Sequence, residues 1–378
     1  MKTAQIHIEF ENRFGGEGLI YAAPGRINLI GEHTDYNGGF VFPGAVEQSI
    51  VAEIRPNNSR MVNTYALDLD LADSFSIDDD KGPQQNHSRY IYGVVREMMA
   101  LGVQCQGFDV VYGGDVPLGA GMSSSAALES CFACAMNEMF GTQKLDRMTL
   151  AKVGQSTEHK YVGVNCGIMD QFISMHGRAG SLVRLDCRSG EFAYFPWAPQ
   201  GYRLVLVNSC VKHELVGSPY NDRRRSCENV ARLAGVETLR DCTWAQLDSL
   251  KSQISQEDYM RARFVLGEAD RVLAVCDALE RADYETVGQK MYETHWGLSK
   301  DYEVSCEELD FLVQEAQRLG VTGARIMGGG FGGCSINLVR NDRYDTFVCE
   351  VQRTYQAKFV RQCKIIPVVI GDGARRIK

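Results

Sequence analysis

Apolar and polar residues alternate over residues 4–10 (AQIHIEF), the period-two pattern of a strand. A short apolar run at 19–22 leads into the Pro24-Gly25 turn, and residues 40–54 (FVFPGAVEQSIVAEI) predict strands broken at Pro43-Gly44. The acidic stretch 68–80, ending in Asp78, Asp79 and Asp80, reads as the solvated rim of a hairpin. Apolar residues recur at helical spacing over 90–101, with Gly102 as the stop, and residues 107–112 (GFDVVY) predict a strand. Residues 126–140 form a helix with small or apolar residues on most faces, which places it in the core. Ser123, Ser124 and Ser125 offer capping hydroxyls at its start and Gly141 ends it. A second helix covers 150–161, strand patterns recur at 181–187 and 202–208, and helical spacing dominates 222–320. Strand patterns return at 334–339 and 365–370.

Strands and helices in mixed runs, without regular strand-helix-strand units, predict an α+β protein and argue against a doubly wound dinucleotide fold. At 378 residues the chain exceeds what one core supports, so two lobes are expected. The pattern changes near 165–180, giving lobes over 1–170 and 171–378.

Charge narrows the partners. Lys plus Arg total 40 against 48 Asp plus Glu, a net charge of −8, which disfavours nucleic acid and anionic membrane surfaces. No secretory pattern opens MKTAQIHIEF, and no run approaches the roughly 20 apolar residues of a membrane span. Thirteen scattered cysteines then read as reduced thiols in a cytoplasmic protein, expected to be a monomer.

Four segments carry chemistry: PGRINLIGEHTDYNGG (24–39), PLGAGMSSSAALE (117–129), GVNCGIMDQF (163–172) and GARIMGGGFGGCSINLV (323–339). In the second, Gly119 and Gly121 allow close backbone approach to an anion, and the following helix start offers free N–H groups and hydroxyls. The residues alone admit a phosphate cradle or an ordinary serine-capped core helix. Residues 328–333 (GGGFGG) satisfy G-x-G-x-x-G, but a strand pattern follows where that fingerprint needs a helix. A tight loop against a ligand or the other lobe is the better reading. In 31–39, Glu32, His33, Asp35 and Asn37 make either a surface turn or a sugar-reading loop, with Arg26 upstream to hold a carboxylate or phosphate. Cys131 and Cys134 have C-x-x-C spacing on a buried helix with no second pair, which argues against zinc. Ser174 and His176 lack a nucleophile elbow.

In order and spacing, these segments resemble the galactokinases of the GHMP small-molecule kinase family, and the likeness runs through nearly the whole chain, including 208–228. The resemblance implies an N-terminal lobe like ribosomal protein S5 domain 2 and a ferredoxin-like C-terminal lobe, with the site between them. It implies Asp170 as catalytic aspartate with Arg26 beside it, and Glu32, His33, Thr34, Asp35, Gly167 and Tyr220 at the sugar. Gly119, Ala120, Gly121, Met122, Ser123, Ser124 and Ser125 would hold the ATP phosphates, and Ser125 and Glu158 a Mg²⁺ ion. His87-Ser88-Arg89-Tyr90 replaces the Trp-x-Asn-Tyr common near the adenine in galactokinases. The implied reaction moves the ATP γ-phosphoryl group to the anomeric hydroxyl of galactose. N-acetylgalactosamine as substrate, or a non-catalytic sugar and ATP sensor on the same scaffold, are the alternatives.

Overall fold

The computed structural model describes residues 2–211 and 220–378; of the 208–228 segment, 212–219 lie outside the described residues. The chain opens with helix α1 (Thr3–Phe14), not the predicted strand. The alternation over 4–10 misleads because Ile8 is exposed, whereas Ile6 and Phe10, four apart, are buried and Phe14 packs beside them. That four-residue spacing is one face of a helix.

Next come β1 (Leu19–Asn28), β2 (Phe40–Val41), β3 (Pro43–Pro56), β4 (Met61–Ala66), β5 (Leu71–Ser76), α2 (Asn86–Ala100), β6 (Phe108–Gly114) and α3 (Ser124–Phe140). Pro24-Gly25 does not end β1. The strand continues, and its register against β3 shifts between Pro24 and Arg26. Gly25 makes the bulge possible: a Cβ there would lie 2.7 Å from the Met122 carbonyl. The 68–80 stretch holds the β4–β5 turn and its flank, as expected of a hairpin rim.

Helix α4 (Arg147–Thr157) runs into a wider, π-type turn at Glu158–Val162 rather than continuing to 161 as α-helix, and such turns are frequent at functional sites. Helix α5 (Met169–His176) is followed by β7 (Ser181–Asp186) and β8 (Phe192–Pro196). Sheet one has the order β1-β3-β6-β4-β5, and sheet two β2-β7-β8.

The rest comprises β9 (Tyr202–Asn208), helices α6 (Tyr220–Ala234), α7 (Trp244–Ser249), α8 (Gln256–Glu280), α9 (Tyr284–Lys300) and α10 (Glu307–Arg318), then β10 (Gly323–Ile326), β11 (Cys334–Arg340), α11 (Tyr344–Phe359) and β12 (Lys364–Pro367). Their sheet has the order β10-β11-β9-β12, antiparallel throughout. A strand, helices, two strands, a helix and a strand in that order make the ferredoxin-like arrangement. A last short strand, β13 (Arg375–Arg376), pairs with β1 at the edge of sheet one. We propose the lobe boundary near residue 170, with this terminal strand returned to the first lobe. Among the described residues, no helix is long and apolar enough to cross a membrane.

Candidate functional site

The β1 bulge aims Arg26 into a cleft of about 740 Å³. There its Nε and Nη2 donate to the two Asp170 carboxylate oxygens at 2.8 and 3.0 Å, a paired geometry that fixes both groups. Arg26 Nη1 donates to the Gly121 carbonyl, and the Ser123 hydroxyl donates to Asp170. One acid in the first turn of α5 thus joins the bulged strand and the first glycine loop.

Ser123 does not cap α3 as predicted. It sits at φ 58°, in the left-handed region, with its hydroxyl committed to Asp170. Such strain in a non-glycine residue persists where surrounding structure enforces it, typically at functional sites. Gly119 and Gly121 also have positive φ (68° and 72°), and the helix start faces the cleft without a side-chain cap, leaving its N–H groups available to an anion. The second glycine loop closes over the first. A Cβ on Gly121 would lie 2.7 Å from the Met327 carbonyl, and Gly328 and Gly329 line the cleft. This loop joins two strands, so the dinucleotide fingerprint is excluded, and it serves both packing and the cleft.

The 31–39 loop is buried rather than a surface turn, and its polar groups divide into two sets. Glu32, His33 and Asp35 line the cleft. Thr34 does not: it is fully buried, and its hydroxyl donates to the Gly31 and Phe40 carbonyls at 2.9 and 2.7 Å. Its predicted sugar contact is therefore corrected to a lock on the loop, a role a short hydroxyl fills readily because backbone acceptors lie within reach. Asn37 donates to the His33 carbonyl at 2.8 Å.

Two distant residues complete the clamp. Glu268 on α8 accepts from the Gly31 and Glu32 amides at 2.8 and 3.2 Å. Arg325 on β10, fully buried, donates to the Leu29 carbonyl at 2.9 Å and to Glu32 at 3.1 Å. Glu32 also accepts from the Gly328 amide at 2.9 Å, which ties the 31–39 loop to the second glycine loop. Local sequence carries no signal for either clamp, since their partners lie more than 230 positions away.

Burial sets the protonation states. Desolvation, then Arg223, pulls the His33 imidazole down to about 3, so it stays neutral at physiological pH. Its Nδ1 lies 2.8 Å from the Tyr36 hydroxyl, and its ring packs against Tyr220, which also lines the cleft. Desolvation, then the Asp170 charge, raises Asp35 to about 6. A Cβ on Gly167 would overlap the Asp35 carboxylate, so only glycine fits there.

At the cleft's other end, Glu158 stands in the π-type turn, pushed up to about 7 by burial, with the Ser125 hydroxyl bonding to it. The adjacent Glu129 is fully buried, accepts from Gln171 at 2.9 Å, and is raised well above the usual carboxylate range by burial and then by Glu158. Leu69, Asn86, Tyr90 and Leu118 also line the cleft, none of them singled out by residue pattern. Of the 87–90 stretch, Tyr90 faces the cleft.

The described cleft residues include Arg26 as their one permanent cation. A bound triphosphate would need further positive charge. The hydroxyl of Ser125 and the carboxylate of Glu158 form an all-oxygen donor pair suited to a hard divalent cation. Cys131 is buried in α3, and no cluster of three or more metal-ligating side chains occurs among the described residues. Ser174 is buried and donates to the Pro24 carbonyl, so it is no nucleophile.

Comparisons with known proteins bear on the family and the fold. Residues 8–56 match the galactokinase galactose-binding signature, 89–178 the GHMP kinases N terminal domain, and 276–357 the GHMP kinases C terminal domain. A galactokinase from Roseiflexus sp. is 38% identical, covering 100% of this chain and 98% of its own. One from Thermotoga neapolitana is 37% identical over 94% of this chain and 99% of its own. The crystal structure of Lactococcus lactis galactokinase complexed with galactose superposes with a TM-score of 0.94 at 29% identity over the whole of both chains. Methanococcus jannaschii mevalonate kinase shares the fold, with a TM-score of 0.64 at 18% identity over 96% of this chain and 99% of its own.

Proposed function

The chain belongs to the galactokinase family of the GHMP kinases, and from that membership we propose how its cleft phosphorylates galactose with ATP to give galactose 1-phosphate and ADP. One observation carries the assignment of roles. Asp170 is bonded at once to Arg26 and to Ser123 of the first glycine loop, in a cleft that Glu32, His33 and Asp35 also line.

In this reading Glu32, His33, Asp35, Tyr220 and the Gly167 backbone hold the sugar. Neutral His33 can donate or accept, and the carboxylates accept from hydroxyls. The uncapped start of α3 and the backbone of Gly119 to Ser125 hold the ATP phosphates. Tyr90, Leu69 and Leu118 face the adenine. Asp170 accepts the proton of the anomeric hydroxyl, and Arg26 holds its carboxylate in a fixed orientation. A positioned base contributes about 10²–10⁴-fold, and most of the remaining acceleration comes from alignment and charge stabilisation of a loose transition state. Ser125 and Glu158 would hold Mg²⁺, which when bound neutralises developing phosphate charge. The proposal includes a monomeric, cytoplasmic enzyme.

The test is an ADP-release assay over a panel of sugars with and without magnesium. Galactose should give the highest kcat/KM, and only with the metal. Equal or better rates with N-acetylgalactosamine would overturn the substrate, and binding of galactose and ATP without ADP release would overturn the enzyme.

A further inference from the structure

A second chamber, about 410 Å³ in volume, lies behind the sugar-facing wall of the cleft. The two cavities share Asp35, Cys166 and Gly167, so these residues form part of the wall between them. The chamber's lining is net positive, in a molecule that is net negative. Lys152 from α4, Arg188 from the β7–β8 turn and Arg224 from α6 converge on it from three elements. Lys152 makes no hydrogen bond or ion pair with any described residue. Arg188 pairs with Asp241 through Nη2 at 2.6 Å, and Arg224 with Glu228 through Nε at 2.7 Å, so each guanidinium keeps further N–H donors. Met148 and Phe192 supply an apolar wall. In a chain of net charge −8, three cationic side chains and one carboxylate, Asp35, line this half-open pocket, which leaves Lys152 and the spare guanidinium N–H groups to form an anion site with room for a small organic body.

The chamber is also wired to that wall. Gln155 and His159, both in its lining, bond to the Cys166 carbonyl at 3.3 and 2.8 Å, and Arg224 donates to the Asn165 carbonyl at 2.9 Å. An occupant drawing on Arg224, Gln155 or His159 would change the forces on 165–167, the segment whose next face is the sugar site.

We propose that this chamber binds a sugar phosphate monoester other than the substrate and alters galactose affinity through the 165–167 segment. The binding claim stands on the chamber alone; its consequence for galactose rests on the sugar-site assignment above. Such coupling is reciprocal, so galactose must alter effector affinity by the same factor.

The experiment titrates glucose 6-phosphate, with inorganic phosphate in parallel, into the protein by calorimetry. Saturating galactose and a non-hydrolysable ATP analogue keep the cleft filled. One saturable site for the sugar phosphate is expected, weakened about tenfold or more by Lys152→Glu, an exposed position whose basal turnover should be unchanged. Saturating glucose 6-phosphate should shift the galactose Kd in the wild type and leave it unmoved in Lys152→Glu. No binding with the cleft filled, or undiminished binding to the variant, would overturn the site. Inorganic phosphate binding as tightly as the sugar phosphate would overturn the ligand class. If the kinase reading alone were wrong, ADP release would be absent while this binding persisted.

Discussion

The proposed sugar loop (28–39) and the proposed phosphate loop (117–125) flank the cleft that holds Asp170 but are held in different ways. Side chains pin residues 28–39 from every direction: Thr34 and Asn37 from inside the loop, Glu268 from α8, Arg325 from β10. Residues 117–125 are shaped mainly by backbone, through alternate positive-φ residues and close glycine packing against the second glycine loop, with Arg26 and Ser123 tying the loop to Asp170. Telling apart hydroxyls on one ring demands acceptors fixed in place, and buried side-chain clamps provide that. Gripping a triphosphate demands bare N–H groups and close approach, and a side chain at Gly121 would obstruct it.

The strongest way to break the contrast is at the clamp. Arg325→Met leaves Glu32 buried without its cation, so chemical denaturation should show a loss of about 3–5 kcal/mol, with galactose KM raised far more than ATP KM. Equal effects on both substrates would mean the loops are not held separately. Gly121→Ala attacks the other side. Its methyl group meets the Met327 carbonyl at a left-handed φ of 72°, a strain of about 1–2 kcal/mol. Steady-state kinetics should show a raised ATP KM with galactose affinity unchanged.

The smallest expected effect sharpens the picture through pH. Asp35 is raised to about 6 in the folded protein, so its ionised form is disfavoured there, and the stability it contributes is lost as pH climbs through 6. Relative to wild type, Asp35→Asn should therefore be more stable at pH 8 than at pH 4 in thermal melts, while its galactose KM rises. In the wild type, kcat/KM for galactose should fall as pH drops below about 6, where the carboxyl gains its proton.

The chemistry-bearing segments, the two-lobed α+β class and the rejection of the dinucleotide fingerprint were legible because glycines, clustered polar residues and strand patterns are local signals. Three features were not. Ile8 completes a strand-like alternation that only tertiary burial of Ile6 and Phe10 overrides. Thr34 sits among cleft-lining residues, and nothing in its neighbours reveals that its hydroxyl turns inward. Arg325 and Glu268 look like ordinary charges in a strand and a helix, and become clamps only when folding carries them to residues 28–32.

The central claim is that Asp170 acts on the sugar hydroxyl without being needed to hold the sugar. Galactose Kd and single-turnover ADP formation should be measured side by side for wild type and Asp170→Asn. A Kd within about threefold of wild type and turnover reduced at least about 10²-fold are expected. A variant that keeps more than about a tenth of wild-type turnover would contradict the assignment.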